Sequence, residues 1–208
     1  MLASIVGAAD LPGASVPRLI PPVLTAGTFR DQPQPTLNTD SGFVLRAWRA
    51  GDEPALVAAY DDPAIRHWHH RTMDTEEASE WIAATSNRWN AETDAEWAVT
   101  HNGEVTGRVA LRGVDLSVGQ AEVSYWTSPN ARGQGAASAA VSRVASWALK
   151  SVGFWRLEIR HSVNNPASCR VAVHAGFVEE AVLSQQHLHE DGWHDIHIHT
   201  RLRPKDSN

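Results

Sequence analysis

The stretch SYWTSPNARGQGAASAAVSRVASWAL, residues 124–149, constrains the fold more than any other. An aromatic strand runs into Arg132, Gly133 and Gly135 and then, without a break, into small residues that open a helix. Glycine supplies the left-handed backbone that such a loop needs, and the first amides of a helix have no partner within it. Amides gathered at a helix N-terminus favour an anion, so the junction reads as a seat for a phosphate-bearing ligand.

Three readings of that loop compete. A Walker A loop needs G-x-x-x-x-G-K-[ST], and no lysine precedes Lys150. The dinucleotide fingerprint fits better locally: GQGAAS approximates G-x-G-x-x-G/A after a strand, and Glu158 lies near the spacing of a ribose-binding carboxylate. Its context is wrong, because antiparallel-looking strands precede the loop and only about 50 residues follow Glu158, too few for the remaining parallel units. The third reading is a structural strand-to-helix turn with no ligand.

Local patterns organise the rest of the chain. Residues 1–40 contain LPGASVPRLIPPVLTAG and DQPQPTLN, whose prolines interrupt any ladder or helix, and read as an extended N-terminal arm. A globular domain is expected over 41–204, with a tail at 205–208. It opens with a strand at 43–48 and a helix capped by Asp52. The segment 73–90 places Ala78, Trp81, Ile82, Thr85 and Trp89 on one helical face, with Asp74 as cap and Glu77 three residues on. Asn102 and Gly103 separate two alternating runs and predict a tight hairpin. QAEVSYWT is the strand entering the glycine loop. FWRLEIRHSV alternates again, and NNPASCRVAVHAGF reads as a short helix with Asn165 as cap, Pro166 at its first position and Gly176 past its end. A terminal hairpin closes the chain.

Composition limits the function classes. Hydrophobic residues at 42% and charged residues at 20% suit a folded domain. Eighteen basic against 24 acidic residues give a net charge of −6, which offers no broad footprint for nucleic acid. No apolar run approaches the ~20 residues that span a bilayer, and the start MLASIVGAA lacks the positive charge of a secretory signal, so a cytoplasmic location without membrane contact is expected. Cys169 is the single cysteine, which rules out an internal disulfide and a four-cysteine zinc site.

Three spaced motifs resemble one family. Arg132-Gly133-Gln134-Gly135-Ala136-Ala137 fits the [QR]-x-x-G-x-[GA] pattern of the GCN5-related N-acetyltransferases (GNAT), within AEVSYWTSPNARGQGAAS. NNPASCRVAVHAGFVEEAVL is similar to the N-x-x-S helix and A-G-F of its ribosomal-protein alanine and serine N-acetyltransferase subgroup, and DGWHDIHIHTRL resembles that subgroup's closing hairpin. The likeness covers residues 43–203. It implies an α/β fold with a central mixed, mostly antiparallel sheet, flanked by helices and splayed between two neighbouring strands, here 122–127 and 156–162.

Acetyl-CoA is the co-substrate that the resemblance implies, bound in the splay. Amides of Gly133, Gln134, Gly135, Ala136, Ala137 and Ser138, beside Arg132, would hold the pyrophosphate, in keeping with the helix dipole. Backbone groups of Tyr125, Trp126 and Thr127 would pair with pantetheine as another strand would. The resemblance puts the hold on the thioester carbonyl at Trp126 or Thr127, and Asn165 where the family contacts the cofactor.

Acyl transfer to an amine needs a neutral nucleophile, an oxyanion donor and an acid for the thiolate. The tyrosine many members use as acid is replaced by Ala172, and the subgroup points instead to Ser168. Glu122, on the opened strand, is the candidate base, directly or through water, and Asp195 in the closing hairpin is a candidate for orienting the amine. The acceptor is a small-molecule or protein N-terminal amine, and such folds also occur as homodimers. Cys169 reads as a packed cysteine, not a nucleophile. His187 with His189, and His197 with His199, each share a strand face and could chelate a metal, although no metal is assigned; the other reading is polar faces of a terminal hairpin lining the acceptor site. His67, His69 and His70 form another cluster, in the region where the family shapes its acceptor pocket. Trp68, Trp81 and Trp89 are candidates to hold an apolar or cationic acceptor. The alternative from another class is a catalytically weak acyl-CoA-binding or sensing protein on the same fold.

Overall fold

The computed structural model describes residues 19–204. Its elements are β1 (Leu37–Asn38), β2 (Val44–Ala47), α1 (Glu53–Asp61), α2 (Pro63–His69), α3 (Thr75–Asn90), β3 (Ala95–His101), β4 (Glu104–Asp115), β5 (Gln120–Thr127), α4 (Ala136–Ser146), β6 (Arg156–Ser162), α5 (Pro166–His174), β7 (Val178–His189) and β8 (Gly192–Leu202), in the expected order except that β1 and α2 are additional. Eight strands form one sheet in the order β1-β2-β3-β4-β5-β6-β8-β7. Every neighbouring pair is antiparallel except β5 with β6. One parallel pair cannot build a dinucleotide-binding sheet, so that reading of the glycine loop is discarded. Glu158, its ribose carboxylate, instead accepts from Arg156 at 2.8 Å and Arg160 at 3.1 Å.

Local chemistry explains the elements. Asp74 accepts from Glu77 N while Glu77 accepts from Asp74 N, a complete capping box at the start of α3. Asn102 and Gly103 take φ of 51° and 87°, as a two-residue hairpin with left-handed central residues requires. Asp52 precedes α1 but makes no side-chain cap; its carboxylate takes two hydrogen bonds from Arg46, at 2.7 and 2.8 Å, and one from Arg49 N.

The two faces of the sheet carry separate cores. On one, Val109, Leu111, Val123, Leu157 and Ile159 pack against Val141, Val144 and Ala145 of α4, and Ala172 of α5 joins them. On the other, Ala98 and Trp126 meet Leu56, Tyr60, Ile65, Ala78 and Ile82 from α1–α3. Trp97 and Ala98 are adjacent yet belong to different cores, as alternation in a strand dictates.

The boundary expected at residue 40 is not a packing boundary. Leu24, Phe29 and Leu37 are buried in the first core, and Phe29 stacks on Trp89 with ring centroids 4.7 Å apart. Glu92 accepts from Gly27 N at 2.8 Å and Phe29 N at 2.7 Å, and Trp97 Nε1 donates to the Pro35 carbonyl. Proline-rich sequence rules out regular structure but not docking, because irregular backbone can pair with side chains of the core. Residues 1–18 of the arm and the tail 205–208 lie outside the described residues. Among the described residues no helix is long and apolar enough to cross a membrane.

Candidate active site

The parallel contact between β5 and β6 is short. Gln120, Ala121 and Glu122 pair with Arg156, Leu157 and Glu158, and there the pairing ends. β5 stays paired to β4 through Thr127 and β6 to β8 through Ser162, so the two strands diverge with other neighbours holding each. The expected splay is present, starting after Glu122 and Glu158.

A cavity of about 740 Å³ occupies this opening. Tyr125, Trp126 and Thr127 line it from β5, and Asn165 and Ser168 from α5; Arg132, Gly133, Gly135, Ala136, Ala137 and Ser138 line it from the glycine loop and α4. Eleven of the fourteen residues expected at the site therefore meet in one place. Gln134 does not: its side chain donates to the Asn130 carbonyl at 2.7 Å and stays within the loop. Glu122 and Asp195 are also outside the lining. Asp195 accepts from Gln185 N at 2.8 Å and so braces the β7 irregularity where Gln185 takes a φ of 47°. Glu122 sits at the base of the splay, on the last paired rung, where burial pushes its carboxyl above the usual range against the pull of Arg160 and Arg112.

The loop has the geometry of an anion seat. Gly133 and Gly135 have φ of 76° and 78°, and a Cβ at either would meet nothing within 4 Å. They are needed for backbone shape and face open space. The first helical bond runs from Ala139 N to the Gly135 carbonyl at 3.0 Å, and no side chain caps the helix, so the amides of its first turn point to the cavity end unclaimed by a cap. Arg132 lines the cavity but its guanidinium pairs with Asp62, which also caps α2 by accepting from Ile65 N. One carboxylate thus joins the loop to the helix on the opposite wall.

At the other end of the cavity, the Tyr125 hydroxyl is 2.6 Å from Ser168 Oγ and 3.2 Å from the Ser168 carbonyl. Burial pushes the Tyr125 phenol up to about 12, partly opposed by Ser168, so it stays protonated. Asn165 Oδ1 caps α5 by accepting from Ser168 N at 3.0 Å, and the residue borders the cavity. Ala172 is wholly buried in the core and brings no polar group to the site.

Helix α2 supplies the wall that sequence reasoning described least. Ala64, Ile65, Trp68 and His69 line the cavity. Burial and the nearby Arg108 push His69 down to about 4, partly opposed by the Tyr125 backbone. His69 was visible only as one of three clustered histidines; its parity on a seven-residue helix carries no signal. Of the tryptophans expected at the acceptor, Trp68 lines the cavity. Trp89 is buried against Phe29 and Trp97, and Trp81 lies under the guanidinium groups of Arg88 and Arg108.

A sheet parted between two parallel neighbours, with an uncapped glycine-loop helix at one end of the gap and a hydroxyl pair at the other, defines a class of acyl-transferring enzymes. The profile of the acetyltransferase (GNAT) domain matches residues 43–178, and the chain belongs to that family. It is 24% identical over 177 residues to YoaA, an uncharacterised N-acetyltransferase of Bacillus subtilis, covering 83% of this chain and 99% of that protein. Over 99 residues it is 28% identical to the ribosomal-protein-serine acetyltransferase of Escherichia coli, covering 48% of this chain and 55% of the relative. In structure it resembles RimL, a ribosomal L7/L12 α-N-protein acetyltransferase solved with coenzyme A, with a TM-score of 0.74 at 18% identity over 81% of this chain and 98% of that one.

Proposed function

We propose that this N-acetyltransferase moves an acetyl group from acetyl-CoA to a primary amine by direct transfer in a ternary complex. The observation that supports it most is the cavity itself, which runs from an uncapped helix N-terminus to the Tyr125–Ser168 pair inside a parted sheet. Acetyl-CoA supplies an acyl carbon activated as a thioester. Amides of Gly133 and of Gly135 to Ser138 hold its pyrophosphate, and β5 presents backbone groups to the amides of its arm.

The amine nitrogen bonds to the acyl carbon, the carbon–sulfur bond breaks, and the amine loses a proton. Of the two arrangements the hydroxyl pair allows, the one in which Tyr125 donates to Ser168 Oγ leaves the Ser168 O–H free to donate to the departing thiolate. Tyr125 so provides from the strand the phenol that α5 lacks at Ala172. Neutral His69 and Trp68 border the acceptor's place, where a ring nitrogen of His69 can accept from the amine. Glu122 receives the proton through water, since it lies behind the lining and not in it.

The test is calorimetry with acetyl-CoA, followed by an amine screen with the best acyl donor. Saturable binding with acetyl transfer to at least one primary amine is expected. Tight binding with no transfer across peptides, polyamines and amino sugars would move the protein to the acyl-CoA-sensing alternative.

A further inference from the structure

Behind α5, on the side away from the cavity lining, the sheet and helix bring together His161 of β6, His197 and His199 of β8, and Cys169 of α5. Their ligand atoms all lie within 4.8 Å of one another. We propose that these four residues form a closed, four-coordinate site for a zinc-type divalent ion that fastens α5 to β6 and β8.

Three observations carry this. The first is the donor set: imidazole nitrogen and cysteine thiolate are the donor types zinc takes, with bonds near ~2.0–2.3 Å, and four of them fill a tetrahedral shell. A tetrahedron of such bonds spaces its donors ~3.4 Å apart, so side-chain rotation within the observed cluster suffices. The second is the lack of any other partner. His199 is 0% exposed and neither ring nitrogen has a hydrogen bond among the described residues; His161 Nε2 and His197 Nδ1 are likewise buried without one. Buried polar atoms are bonded in the great majority of cases, and three imidazoles with unmatched buried nitrogens, gathered around one thiol, ask for a common partner. The nearest carboxylate, Glu179, is 3.9 Å from His197 Nδ1, too far for a hydrogen bond.

The third is orientation. His161 Nδ1 lies 2.8 Å from the Ser162 carbonyl, which can only accept, so Nδ1 carries the proton and the Nε2 lone pair is free. A ligating histidine held by its other nitrogen on a carbonyl is the usual outer-shell arrangement. The ladder adds the rest: His161 faces His197 across β6 and β8, and Ile159 faces His199 one rung pair away, so all three rings stand on the face that α5 covers. Cys169 and His197 are only partly buried and give the ion a way in. Binding exchanges the Cys169 S–H bond for a metal–sulfur bond, with the proton leaving to solvent, while the imidazoles enter neutral.

A second cluster, His67 with His189 and Asp191, serves as the internal control. The full chain, stripped by a chelator, would be titrated with Co²⁺ and then with Zn²⁺. One equivalent of Co²⁺ should give the intense visible bands of a tetrahedral ion together with a near-ultraviolet thiolate-to-cobalt band, and Zn²⁺ should abolish both. Because the chain has one cysteine, that charge-transfer band reports Cys169 without any variant. Cys169→Ser should remove the band and weaken binding by at least the ~10–100-fold typical of losing an outer partner, with circular dichroism checking the fold. Absence of tight binding, a weak octahedral spectrum, or a spectrum unchanged in Cys169→Ser that disappears in His67→Gln would each overturn the proposal.

Discussion

At the scale of single residues, the proposed chemistry depends on one short contact, Tyr125 to Ser168. Ser168→Ala should lower kcat by about 10²-fold, the smaller end of what a positioned acid contributes, and leave the affinity for CoA almost unchanged. Tyr125→Phe keeps the ring in the core and removes only the hydrogen bond that orients Ser168. A loss of about tenfold in kcat is expected, in line with one hydrogen bond. Steady-state kinetics with calorimetry on the same samples separates these effects from cofactor loss. The pH profile assigns the base. Burial raises the Glu122 carboxyl, and a base acts only when ionised, so activity should climb as pH passes upward through that raised value. Glu122→Gln should flatten this acidic limb; an unchanged limb would remove Glu122 from the reaction. His69, pushed down to about 4, is neutral across the working range, and its replacement by Gln should alter KM for the amine without moving the limb.

At the scale of elements, the glycine loop carries its own prediction. Gly135 has a φ of 78° and faces open space, so Gly135→Trp both strains the turn by about 1–3 kcal/mol and puts an indole where the pyrophosphate is to lie. CoA affinity should fall by at least tenfold, read by calorimetry, and an unchanged affinity would mean that the loop holds no phosphate. Elements were legible in the sequence where their cause is local. The α3 capping box, the Asn102-Gly103 hairpin and the Asn165-Pro166 start of α5 each follow from a few adjacent side chains. Helix α2 was not legible: PAIRHWH is too short for a period, Pro63 reads as a break, and its hold on the molecule is the Asp62 cap and buried Ile65. The glycine loop was legible as a strand-to-helix junction because glycine conformations and helix ends are local physics, whereas its reading as an acetyl-CoA seat came from the family motifs. The Tyr125–Ser168 contact joins residues 43 apart in sequence, and nothing in either neighbourhood encodes it.

At the scale of the whole molecule, the docked segment before β1 makes the core larger than the family motifs alone delimit. Glu92 is the bolt. Burial alone would raise its carboxyl, but amides of Gly27, Phe29 and Arg30 hold it net below its ordinary value. The contribution is therefore present above about pH 4.5 and is lost as pH falls through the depressed value. Glu92→Gln should cost about 1–3 kcal/mol at neutral pH, seen in the urea midpoint, and should blunt the loss of stability in acid. The parted strands have a consequence of another kind. Beyond Glu122 and Glu158, β5 and β6 turn two unpaired strand edges toward each other inside the protein, and an unpaired edge is a template for any extended peptide. On the proposed function, an acyl-CoA arm lying there is a plug as well as a reactant. Empty protein should cloud on warming sooner than protein saturated with CoA, by more than the shift in its melting temperature explains, and light scattering would record the difference.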